Sequence, residues 1–139
     1  MADGLGRFTA AQDEGGTYER ALAELAAGAK RSHWMWFVFP QIAGLGRSAT
    51  AQHYAIRDAA EARAYLADPV LGRRLVRAMR VAEAADATDA EALLGAVDAV
   101  KLRSSATLFG RVAPQEPAFV AVLQRWFGGE EDPATVALL

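Results

Sequence analysis

Lys30, His33, Trp34, Trp36 and Gln41 stand close together in the run Lys-Arg-Ser-His-Trp-Met-Trp-Phe-Val-Phe-Pro-Gln at 30–41. An indole face can stack on a ring or a cation, an ammonium meets an anion, and an imidazole carries a proton near neutral pH. Together these residues suit an anionic, nucleotide-like small molecule, with His33 as the proton carrier if there is chemistry. The same run also reads as core. The bulky apolar residues at 34–39 cannot all face water on a helix or a strand, so the tryptophans could fill the interior while Lys30 and His33 serve backbone groups at a helix start.

A second cluster, Asp98, Lys101, Arg103, Ser104, Ser105 and Thr107, lies at helical spacing. Asp98 and Lys101 are three apart and Lys101 and Ser105 four apart, so Lys101 neighbours both on one face. A lysine-activated serine is the sharp reading and a capped, ion-paired helix with small hydroxyls the plain one. Gly44-Leu45-Gly46-Arg47-Ser48 could set backbone N–H groups around a phosphate, but it has no Gly-Lys-Ser/Thr ending and no preceding strand, so it reads equally as a turn. Arg73, Arg74, Arg77 and Arg80 form a basic ridge that suits phosphates or an acidic partner, or is simply a solvated face. With two histidines and no cysteine, a protein-built transition-metal site is not expected, and no cofactor is implied.

These residues need elements to hold them. Thr17 can cap a helix through Tyr18, Ala21, Leu22 and Leu25, ended by Gly28. The segment at 34–39 reads as a short helix closed by Pro40. Ser48 or Thr50 can cap a short turn, and Asp58 with Glu61 has the form of a capping box for a helix at 59–67. Pro69 opens a helix with the apolar stripe Leu71, Leu75, Met79 and Ala82. Thr88 with Glu91 opens 89–94, Asp98 can cap 99–109, Glu116-Pro117 begins 118–127, and Asp132-Pro133 starts a last turn. No repeat or hairpin pattern interrupts this series. The expectation is an all-α fold, one compact bundle of about seven short helices forming a single domain over 1–139.

With 53% hydrophobic and 23% charged residues the composition is globular. A net charge of −2 disfavours nucleic acid, whose binding needs an excess of Lys and Arg. Residues 1–8 do not read as a secretion signal, and the longest apolar run is far short of the roughly 20 residues of a membrane helix, so the expectation is a cytoplasmic protein without a membrane partner.

The motif Lys-x-Ser-His-Trp-Met-Trp-Phe-x-Phe-Pro-Gln, followed by Gly-Leu-Gly-x-Ser, resembles a bacterial family of unassigned role. The likeness extends through Phe8, Ala11-Gln12, Tyr18, Tyr54-x-Ile56, Tyr65-Leu66, Pro69-x-Leu71-Gly72 and Lys101-Leu102-x-x-Ser105-x-Thr107-Leu108-Phe109, covering almost the whole chain. It implies an all-helical fold and no particular reaction. Some members carry the label calpastatin, but nothing here resembles that extended protease inhibitor.

Polar residues of two motif segments, set among core residues, suggest a pocket where 33–41 meets 101–107. In it Lys30, Lys101 and Arg47 would hold an anionic group, Trp34 or Trp36 would stack, and Gln41, Ser48 and Ser105 would complete the lining, with His33 and Lys101 as candidate catalytic groups. The rival expectation is a helical protein-interaction module, which requires Trp34 or Trp36 on an exposed face.

Overall fold

A computed structural model describes residues 4–139. Residues 1–3, part of the stretch expected not to be a secretion signal, lie outside them. Its helices are α1 (Gly6–Asp13), α2 (Thr17–Ala26), α3 (Met35–Val38), α4 (Ala49–His53), α5 (Ala59–Ala67), α6 (Leu71–Ala84), α7 (Ala90–Leu94), α8 (Ala96–Val112), α9 (Pro117–Phe127) and α10 (Pro133–Leu138), with a 3₁₀ turn, Glu14–Gly16, between α1 and α2. The all-α class is as expected. The segments outnumber the expected seven because several of them, α3 and α4 among them, close after little more than one turn.

The centre of the bundle is α8. Its residues from Ser104 to Phe109 are buried in an unbroken run, because α7, α9, α5 and α10 all pack on it. The stripe of α6 is buried as its spacing predicts, with Ala78 joining Leu71, Leu75, Met79 and Ala82. Gly72 lets α6 run close to the end of α5: a Cβ there would stand 2.1 Å from the Leu66 carbonyl oxygen. Phe8, Tyr65, Phe109 and Phe119 form a chain of ring contacts through the interior.

Several helix starts differ from expectation by a residue or a few. Asp89, not Thr88, caps α7, accepting the Ala92 N–H at 2.7 Å. Thr17 turns its hydroxyl back to the Glu14 carbonyl and leaves the cap position to Gly16. Gly95 sits at φ +86° between α7 and α8, so α8 begins at Ala96 and Asp98 lies in its first turn, where a carboxylate favours the helix dipole. Ser48 is the cap of α4, at 3.0 Å from the Ala51 N–H. Outside the helices, Ile42 and Ile56 form one parallel bridge, its bonds being Ile56 N–H to Gln41 O and Ala43 N–H to Ile56 O, both 2.8 Å. No helix among the described residues is long and apolar enough to cross a membrane.

Candidate functional site

Gly28, at φ +81°, stops α2 and turns the chain across the end of α6, where a side chain would strike the Asp86 carbonyl. The following turn is held by Glu24. One carboxylate oxygen accepts the N–H groups of Arg31 at 2.8 Å and Ser32 at 3.0 Å and the Trp34 indole N–H at 2.9 Å. The other accepts the Ser32 hydroxyl. Burial tends to raise the Glu24 pKa, but the bonds from Ser32, Arg31 and Trp34 outweigh it and hold the group at about 2.

This turn sinks Trp34 into the core, fully buried, and carries Lys30 to α8. The Lys30 ammonium lies 5.0 Å from the centre of the Trp34 ring and 2.9 Å from Asp98 Oδ2. The other Asp98 oxygen faces Lys101 at 3.5 Å, and Lys101 in turn stands 4.7 Å from the centre of the half-buried Trp36 ring. Two ammonium groups thus share one carboxylate. Lys30 is the buried, tightly held partner and Lys101 the looser, more exposed one, so the cluster keeps a positive charge on the Lys101 side.

Lys101 opens onto a cleft of about 390 Å³. One wall is α8, with Val97, Val100 and Ser104; the other is the loop after Phe39, with Gln41, Leu45 and Gly46; Asp132 and Ala134 of the last turn close the end. Val97 and Val100 are 69% and 59% exposed, unusually open for valine. Asp132 is buried and fixed. Its Oδ2 accepts from Thr135 at 2.6 Å and lies 2.7 Å from Ser104 Oγ, while its N–H donates to Thr107 Oγ1 at 2.9 Å. Burial pushes its pKa up, and the bonds from Thr135 and Ser104 more than reverse this, leaving it below the ordinary aspartate value.

The structure therefore brings together Lys30, Trp36, Gln41 and Lys101, but not the whole expected set. Trp34 offers no stacking face, because its ring is core and its N–H is committed to Glu24. Trp36 has Lys101 over its ring, and the void between Trp36, Gln41 and Tyr54 is about 10 Å³, room for about one water and not for a base. His33 is exposed and does not line the cleft. Ser48 spends its oxygen on capping α4. Arg47 is exposed beside Gly46 without being part of the lining. Ser105 points into the interior, its hydroxyl buried without a hydrogen-bond partner among the described residues, so Lys101 does not activate it.

Two carboxylates of the site were not singled out from sequence. Asp132 carried only the signal of a helix start before Pro133, and its packing beside Ser104 is a tertiary fact. Glu24 had no signal, since a glutamate on a surface helix ordinarily faces water.

No curated protein matches the chain. The crystal structure of the conserved hypothetical protein Rv1873 from Mycobacterium tuberculosis is similar to it, with a TM-score of 0.92 and 45% sequence identity, covering 97% of this chain and 95% of that one. Residues 2–139 match a family described as protein of unknown function (DUF1810), and the chain belongs to that family.

Proposed function

We propose that the chain is a small-molecule-binding domain whose site is the cleft between α8 and the loop after Phe39, and that its ligand is an anion with an apolar part. The observation that carries this reading is the sharing of Asp98 by Lys30 and Lys101. It leaves the Lys101 ammonium incompletely neutralised at the wall of a cavity that Val97, Val100 and Leu45 line with Gln41, Ser104 and Asp132, and the Asp132 carboxylate there is already engaged by Ser104 and Thr135. Apolar lining with a few convergent polar groups is the usual character of a ligand site. Lys101 would take the anionic group, Gln41 would orient it by hydrogen bonding, and the valines would cover the remainder. The covering of Trp36 favours a non-stacking anion over a nucleotide. We place the protein in the cytoplasm, a reading that rests on its cysteine-free, globular composition.

Native mass spectrometry of the purified protein, followed by thermal shift against aliphatic carboxylates and nucleoside monophosphates, tests the proposal. A ligand at about 100 times its Kd adds about 2.7 kcal/mol of stability, which should appear as a rise in Tm for the wild type and not for Lys101→Ala. If every anion in the panel raises the Tm of the wild type and of Lys101→Ala equally, or raises neither, the reading fails.

The open valines favour a second reading, in which Val97 and Val100 meet a partner protein. In that case Val100→Asp abolishes capture of the partner while Lys101→Ala does not.

A further inference from the structure

The basic ridge of α6 divides into paired and unpaired members. Arg74 is held by Asp13 at 2.8 Å, and Arg80 by Glu83 at 3.3 Å with Glu116 at 3.8 Å. Arg73 and Arg77 are exposed and have no ion-pair or hydrogen-bond partner among the described residues. They lie four apart on one helix face, where like charges repel. Between them and α9 lies a surface cavity of about 520 Å³ with Leu66, Val76, Ala113 and Phe119 in its lining, a volume within the ordinary range for small ligands. The carboxylate at its rim, Glu116, is engaged by Arg80 and by the Ala118 N–H at 3.0 Å. The cavity is thus apolar below, carries two guanidiniums without an ion-pair partner among the described residues at its side and Glu116 at its rim, and shares no lining residue with the Lys101 cleft.

We infer that this cavity is a second binding site, separate from the Lys101 cleft, for the phosphomonoester of a small apolar alcohol. The dianion matches the two guanidiniums in charge and in their bidentate geometry, and the apolar group rests on Val76 and Phe119.

The test follows backbone amide NMR shifts of the full chain during titration with phenyl phosphate. Saturable shifts are expected at Val76, Arg77, Ala113 and Phe119. They should persist in Lys101→Ala and weaken by at least about tenfold in Kd in the Arg73→Gln/Arg77→Gln protein, each lost charge-assisted bond being worth about a factor of ten. Both substitutions are on the exposed helix face, and an unchanged spectrum elsewhere establishes that the doubly substituted protein is folded. Inorganic phosphate should bind more weakly than phenyl phosphate. Absence of saturable shifts, equal affinity after the double substitution, or shifts confined to the Lys101 cleft overturns the site. Equal binding of inorganic phosphate overturns the apolar part of the ligand. Arginine-dependent sedimentation with phosphatidic acid vesicles, without any response to phenyl phosphate, replaces the soluble ligand by a membrane surface and overturns the proposal.

Discussion

The Trp34 indole donates to Glu24 across 2.9 Å, and that bond ties the turn at 27–34 to α2. With the Arg31 and Ser32 N–H groups and the Ser32 hydroxyl on the same carboxylate, Glu24 substitutes for the regular hydrogen bonding that this turn lacks. Glu24→Ala should therefore lower stability by about 2–3 kcal/mol at neutral pH, since bonds to a charged group contribute more than neutral ones, and Glu24→Gln by less. The pH dependence has a definite sign. With the folded pKa at about 2 against an ordinary 4.5, the contribution is complete above the ordinary value and is lost as pH falls toward 2. Urea denaturation over that range should show wild type losing more stability than Glu24→Gln.

The two lysines that share Asp98 should respond differently to removal. Lys30→Ala strips a buried partner and a cation packed on Trp34, and a loss of about 2 kcal/mol is expected. Lys101→Ala leaves Asp98 paired with Lys30, so its effect on stability should stay below about 1 kcal/mol. Chemical denaturation of both substituted proteins checks this, and equal losses would contradict the asymmetry of the cluster.

Gly72→Ala should be among the most damaging small substitutions in the chain. The new methyl meets backbone, not a flexible side chain, with the Leu66 carbonyl carbon also at 2.9 Å. Helices α5 and α6 must separate, and overpacking of this kind costs about 1–3 kcal/mol, which the midpoint of urea unfolding will report. Gly6→Ala is the control, as nothing lies within 4 Å of a Cβ at Gly6.

Asp132 joins α10 to α8 through Ser104, Thr135 and Thr107. Asp132→Ala should cost about 2 kcal/mol, from the lost charge-assisted bonds of Ser104 and Thr135 and the Thr135 hydroxyl left without its acceptor, and should increase amide exchange in α10 selectively. Because its pKa lies below the ordinary 3.8, the charged form stabilises the fold above that value, and the benefit fades as pH falls below it.

Helical periodicity made α2 and α6 legible, since each carries an apolar stripe at a spacing that only a helix buries on one side, and the Glu116-Pro117 start did the same for α9. Cap positions were less so. Thr88 and Asp89 are both good N-cap residues, and the choice between them depends on where α7 packs. For Asp98, the glycine before α8 supplies the turn and moves the aspartate inside the helix. The site was half legible for the same reason. Lys101 and Asp98 meet within one helix, at a spacing visible in sequence, and the meeting with Lys30 and Trp36 was expected because both segments carry motif residues. Which tryptophan faces inward is decided by Glu24, far enough away in sequence that no local pattern encodes it.

The bridge between Ile42 and Ile56 fastens both ends of the intervening segment, and Arg7 secures its C-terminal end through the carbonyls of His53 at 2.7 Å and Ala55 at 2.8 Å. The stretch around Arg47 is thus exposed backbone between fixed anchors, and lengthening such a loop adds only about 0.6 kcal/mol per doubling. Because the chain contains no cysteine, Arg47→Cys would give a unique attachment point beside Gly46 at the edge of the Lys101 cleft. A dye placed there would let the protein report on occupancy of its own cleft.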